Sequence, residues 1–187
     1  MRTILFDAAP PEDDACRQGL DALRRALTDE GCSVRTFALA RTAISPCRGC
    51  FACWVGTPGR CPFEDASCEA ARAVAGAELL VVYSPVAFGC WSSEAKKALD
   101  RMVCLVSPHF AFSGLTRHRP RYESLPALLG VGWLAEPDPE AESVFARLVE
   151  HNAYNLHAPA QRAVLLEQDE WARQRQVCRG ALREMFQ

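Results

Sequence analysis

Apolar positions along the chain follow two rhythms. Short, nearly continuous apolar runs at RTILFD (2–7), CSVRTFA (32–38), ELLVVYS (78–84), LPALLGVGWL (125–134) and QRAVLLE (161–167) predict five strands. Between them apolar residues recur three and four apart among charges. Leu20, Leu23 and Leu27 do so within 13–30, which predicts an amphipathic helix stopping at Gly31. The same rhythm predicts a helix over 66–76 with Asp65 as its N-cap. It predicts another over SSEAKKALDRMVCLV, capped by Ser92 or Ser93 and stopped at Pro108, and two more over 140–156 and 169–186. Residues 109–124 show no period and predict a loop. ELLVVYS is apolar on both faces, the pattern of a central parallel strand covered by helices on either side.

Strands alternating with helices predict an α/β three-layer sandwich around a five-stranded parallel sheet, because parallel crossovers are right-handed and place helices on both faces. Strand order 2-1-3-4-5 puts a ligand crevice beyond the C-terminal ends of strands one and three. AAPPEDD and SPVAFGCWSS stand at those ends, and a cysteine-rich segment lies nearby. No repeat, low-complexity tract or linker divides the chain, so its 187 residues predict one domain over 1–187.

Composition narrows the function classes. Hydrophobic residues at 49% and charged residues at 24% are ordinary for a soluble globular protein. A net charge of −2 supplies no basic footprint, so nucleic acid is not an expected partner. No apolar run approaches a membrane span, and MRTILFDAAPPEDD resembles neither a signal nor a transit peptide. The expected location is cytoplasmic, where thiols stay reduced. Ten cysteines in such a compartment point to metal or redox chemistry.

Four of them, Cys47, Cys50, Cys53 and Cys61, fall within SPCRGCFACWVGTPGRCP. Compact C-x2-C-x2-C spacing lets three thiolates wrap one inorganic core if Gly49 permits the turn, and the GTPG turn brings back Cys61 as a fourth ligand. Structural zinc more often uses two separated knuckles, and no second one exists. Reduced cysteines also pack as small hydrophobes, and that alternative stays open. Cys16, Cys32, Cys68, Cys104 and Cys178 fall within predicted elements and are assigned to the core, while Cys90 stands in the loop after strand three.

The stretch SPVAFGCWSSEAKKALDR, with Ser84, Pro85, Val86, Gly89, Ser93, Lys96 or Lys97, Asp100 and Arg101, resembles the second FMN loop of the flavodoxin-like NADPH-dependent FMN reductases. The cysteine segment is similar to the cluster motif of their iron–sulfur flavoprotein branch, and also to CxGCxxC segments of relatives that need not carry a cluster. The resemblance covers roughly residues 2 to 134. It implies a flavodoxin-like fold and a flavin-dependent oxidoreductase or electron-transfer protein that binds FMN and NAD(P)H and forms a homodimer or homotetramer. Cofactor contacts would come from Pro10, Ser84, Pro85, Val86, Ala87, Phe88 and Gly89. A [4Fe–4S] cluster would be held by Cys47, Cys50, Cys53 and Cys61. No catalytic residue is assigned.

Two departures matter. Ala87 replaces the tyrosine of the Ser-Pro-Val-Tyr run, with Phe88 beside it. The phosphate loop, Gly-Ser-Pro-Arg…Asn-Thr in the family, reads AAPPEDDAC here. A carboxylate of Glu12, Asp13 or Asp14 about 5 Å from a phosphate costs roughly 3 kcal/mol per charge pair at an effective dielectric near 20. Alternatively these acids cap the first helix and complement its dipole. Two function classes therefore stand side by side: the oxidoreductase, and a flavodoxin-fold protein that has lost FMN and serves in binding or assembly. Arg117, His118, Arg119 and Arg121 offer a landing for a nicotinamide nucleotide, or form a solvated loop. Trp54, Trp91 and Trp133 offer aromatic walls at the strand ends, or pack in the core. Phe51, Trp54, Val55 and Phe63 form an aromatic patch that suits a subunit interface, or fold back over the cysteines.

Overall fold

The computed structural model describes residues 1–168 and 170–186. Strand β1 (Arg2–Asp7) leads into helix α1 (Asp14–Asp29) and β2 (Ser33–Ala38). A 3-10 turn at Leu39–Arg41 opens the cysteine segment, which holds the single-turn α2 (Ala52–Val55), and α3 (Ala66–Ala75) follows. Next come β3 (Leu79–Ala87), the two-residue β4 (Cys90–Trp91) and α4 (Ser93–Arg101). The remainder is β5 (Val106–Ser113), β6 (Leu115–Pro120), β7 (Ala127–Trp133), α5 (Pro139–Leu156), β8 (Gln161–Leu166) and α6 (Trp171–Phe186). The Asp169 start expected for the last helix lies outside the described residues.

The main sheet runs β2-β1-β3-β7-β8, all parallel, which is the predicted flavodoxin-like order. Alternation along each strand sorts the two faces. Ile4, Phe6, Leu80, Val82 and Leu128 pack beneath α3, α4 and α5. Leu5, Leu79, Val81, Tyr83, Leu129 and Val131 pack beneath α1 and α6. Helix α5 comes so close to β7 that a Cβ on Gly130 would sit 2.4 Å from Val149 Cγ2. Among the described residues no helix is long and apolar enough to cross a membrane.

The caps sit where polar side chains announce them. Asp65 accepts from the Ser67 N–H, and Ser92 from the Ala95 N–H. Residues 109–124 depart from expectation. Most of them belong to an antiparallel hairpin in which, among the described residues, β5 and β6 pair only with each other. Phe110, Phe112 and Leu115 are exposed, so burial does not alternate and the strands leave no period in the sequence. The helix expected to reach Pro108 ends at Arg101, tightens into a 3-10 turn at Met102–Leu105, and gives way to β5. Pro108 is tolerated there because the register shifts between Val106 and Phe110.

Candidate functional site

Two depressions flank helix α4. The first is a cleft of about 500 Å³ at the C-terminal ends of β1 and β3, walled by Ala8, Pro10, Ile44 and Pro85, with Glu12, Glu94 and Lys97 at its edge. The Ala8 N–H closes the sheet by donating to Tyr83 O at 2.9 Å. Beyond it, the buried Asp7 carboxylate accepts from the Ala9 N–H at 3.0 Å and pairs with Arg24 at 3.0 Å. Burial pushes the Asp7 carboxyl up, against the opposing pull of the Ala9 N–H and Arg24. The Asp13 carboxylate then caps α1 by accepting from the Cys16 N–H at 2.9 Å, and Asp14 stands in the first turn. Of the two alternatives for these acids, Asp13 takes the capping one, and in doing so sets its carboxylate at the N-terminus an anion would use.

Across the cleft, the buried Ser84 hydroxyl donates to Pro85 O at 2.7 Å and accepts from the Ser92 N–H at 2.9 Å. These bonds tie together the two ends of the 84–92 segment. Between them β3 and β4 form a tight hairpin whose central residues, Phe88 (φ 52°) and Gly89 (φ 72°), are both left-handed. Phe88 is fully exposed, and Gly89 fits because a Cβ would meet Val144 of α5 at 2.6 Å. Among the residues assigned to the cofactor by resemblance, Pro10 and Pro85 line the cleft and Ser84 braces it from below. Val86, Ala87, Phe88 and Gly89 form the adjoining hairpin. Lys97 reaches the cleft but pairs with Glu94 at 2.9 Å, whereas Lys96 pairs with Asp100 and lines the second cavity.

The second cavity, also about 500 Å³, is where Cys47, Cys50, Cys53 and Cys61 come together. Gly49 (φ 62°) and Phe51 (φ 54°) turn the backbone, as the spacing of the first three thiols requires. The Thr57 hydroxyl donates to Arg60 O at 2.7 Å and shapes the turn that returns Cys61. Two anchors hold the segment. The Trp54 indole N–H donates to Val103 O at 3.1 Å. Arg101, only 3% exposed, donates to Ser67 Oγ at 2.7 Å, Phe63 O at 2.8 Å and Asp65 Oδ1 at 3.1 Å. Asp100 and Arg101, the end of the resemblance motif, therefore serve the cysteine cavity; neither lines the cleft.

Cys53 is buried, Cys61 is half-buried, and Cys47 and Cys50 are exposed. Burial first, and then the neighbouring Cys61, Cys47 and Cys50, push the Cys53 thiol up. Cys104, assigned to the core from sequence, lines the same cavity. Its thiol is pushed up to about 11 by burial and by Cys53 and Cys61. Nothing in its local spacing signals this, because the 3-10 turn after α4 delivers it. Apolar side chains such as Leu99, Met102 and Leu148 complete the wall, with Asn152 and His118 as polar members. Among the described residues no three His, Cys, Asp or Glu side chains are grouped as ligands of a single metal ion.

The remaining sequence candidates are placed as follows. Trp91 is buried in the cavity wall, donates to Asn152 Oδ1 at 3.2 Å and meets Phe145 edge-on. Trp133 is buried between β7 and α1, against Gly19. Trp54 folds back between Phe51 and His118, leaving Phe51 54% and Val55 80% exposed. Arg117 stacks over Tyr154, and Arg119 and Arg121 donate to carbonyls of β5 at 3.3 Å.

The family model for NADPH-dependent FMN reductases matches residues 1–122. An iron–sulfur flavoprotein of Methanocaldococcus jannaschii is 31% identical over 102 residues, 54% of this chain and 51% of that protein, so the chain spans about half the length of that relative. Among solved structures, an NAD(P)H:quinone oxidoreductase from Methanothermobacter marburgensis matches with a TM-score of 0.72 at 14% identity, covering 96% of each chain. An FMN-dependent NADH-azoreductase from Bacillus anthracis in complex with FMN matches with a TM-score of 0.65 at 12% identity, covering 98% of this chain and 99% of that one. At these identities the structural likeness establishes the fold.

Proposed function

From the premise that the chain belongs to the NADPH-dependent FMN reductase family, we propose that it is a flavin-dependent oxidoreductase with an iron–sulfur electron relay in the cysteine cavity. The observation that carries this reading is the convergence of Cys47, Cys50, Cys53 and Cys61 on one cavity while a single helix separates that cavity from the cleft. Ser93, Glu94 and Lys97 of α4 line the cleft, and Lys96, Leu99 and Asp100 line the cavity.

A [4Fe–4S] cluster would take one thiolate on each of its four irons, so its ligands need not crowd a common centre. A flavin supplies hydride or single-electron transfer, and a cluster passes electrons singly. The chain's part is to hold the groups. Ser84 fixes the loop beside the cleft, the apolar wall buries Cys53, and Arg101 with Trp54 keeps the segment in place. Ligation requires thiolates, and the Cys53 thiol is held up, so loading should release protons and strengthen as pH rises. NAD(P)H as donor, assembly as a homodimer or homotetramer, and a cytoplasmic location belong to the same proposal.

Anaerobic reconstitution tests it. Cys47→Ser, Cys50→Ser, Cys53→Ser and Cys61→Ser should each lower bound iron and acid-labile sulfide, while Cys178→Ser, buried between α1 and α6, should not. Equal iron in all five proteins would sink the ligand assignment. One observation favours a second reading, a relative without flavin that binds or assembles: Asp13 fills the N-terminus of α1. A folded protein that stays colourless after anaerobic reconstitution with flavin, iron and sulfide decides for it.

A further inference from the structure

The cleft serves the two ends of an FMN molecule differently. Ala8, Pro10, Ile44 and Pro85 give the cleft an apolar surface that suits the flavin ring, and Thr42, Ser92 and Ser93 also line it. Around the first loop, where a phosphate would sit, three backbone donors are already taken. The Ala9 N–H is taken by Asp7, the Asp13 N–H by Pro10 O at 3.2 Å, and the Cys16 N–H by Asp13. Pro10 and Pro11 have no N–H to offer. Among the described residues Lys97 is the one cation lining the cleft, and it is paired with Glu94. Glu12 adds a further exposed carboxylate to the lining, and Asp14 another to the first helical turn. The residues present do not fit a phosphate dianion.

Resting on the flavin reading above, we infer that this cleft takes a flavin without its phosphate, an isoalloxazine carrying an uncharged ribityl chain. A neutral ligand keeps the ring contacts and meets hydroxyls in place of charge. It also avoids setting a dianion beside the exposed Glu12, a repulsion that weakens with salt. Both flavins share the ring contacts, so discrimination arises from the repulsive carboxylate.

Fluorescence-quenching titrations of the purified full chain with riboflavin and with FMN, at low and high salt, test the inference. Riboflavin should bind about tenfold or more tighter than FMN at low salt, and the gap should narrow in high salt. Glu12→Gln/Asp13→Asn keeps a competent N-cap and removes two charges, so FMN should gain about tenfold while riboflavin is unchanged. FMN binding as tightly as riboflavin to the unaltered protein overturns the inference and leaves the flavin cleft standing. If neither flavin binds, the flavin reading itself falls, and this inference with it.

Discussion

Arg101→Met should loosen the anchor of the cysteine segment at a cost the structure lets us size. The guanidinium is 3% exposed and holds Ser67 Oγ, Phe63 O and Asp65 Oδ1. Methionine replaces the stem but none of the donors, leaving Asp65, whose side chain is only 14% exposed, without its cation. Breaking one side of a buried pair costs about 3–5 kcal/mol, a large share of the 5–15 kcal/mol typical of a domain. With a urea m-value of about 2 kcal/mol per molar, the unfolding midpoint should fall by about 1.5–2.5 M. The pH dependence gives an independent check. Burial pushes the Asp65 carboxyl up, but the Ser67 hydroxyl, the Ser45 and Ser67 N–H groups and Arg101 together hold it below its ordinary value. A depressed folded pKa adds stability that is complete above the ordinary carboxylate range and is lost as pH falls through the folded value. Without Arg101 that depression shrinks, so the variant should show a shallower acid-side loss than the wild type. Lys96→Met, which removes an exposed pair with Asp100, should stay within about 0.5 kcal/mol. An Arg101→Met protein within about 1 kcal/mol of wild type would refute the anchoring argument.

Three further outcomes follow from the same geometry. Brief alkylation near pH 8, read by mass spectrometry, should label Cys47, Cys50 and Cys90 first. Cys16, Cys104 and Cys178, buried and pushed up to about 11, 11 and 12, should resist until the protein unfolds, and early labelling of Cys104 would contradict its burial. Gly130→Ala drives a methyl into Val149 and the Trp91 ring and should cost about 1–3 kcal/mol; an unchanged urea midpoint would show that α5 yields freely. If the cysteine segment forms a subunit contact, Phe51→Asp/Val55→Asp should lower the mass seen by light scattering without unfolding the chain. Both side chains are exposed, whereas Trp54 is committed to Val103.

The layered fold was legible because its causes are local. A strand covered on both faces must be apolar throughout, as Leu79–Tyr83 is, and α1 advertises itself through Leu20, Leu23 and Leu27. Caps were legible for the same reason, since Asp65 and Ser92 act within three residues of themselves. The β5–β6 hairpin was not, because its exposed strands have no buried face to impose a period. At the site, spacing alone grouped Cys47, Cys50, Cys53 and Cys61 by bringing thiols close along a turning backbone. Cys104 joined them only through the packing of α4 and its 3-10 turn against the cysteine segment. The motif ending Asp100-Arg101 looked like one unit in sequence. Helical geometry splits it, sending Ser93 and Lys97 to the cleft and Lys96, Asp100 and Arg101 to the cysteine cavity, because a helix presents neighbouring residues to different sides. The acids of the first loop were visible in the sequence. Whether they point at a ligand or at the chain's own N–H groups depended on how that loop closes. Asp7 and Asp13 turn inward to satisfy backbone donors that would otherwise be left unpaired, and Glu12 remains at the cleft.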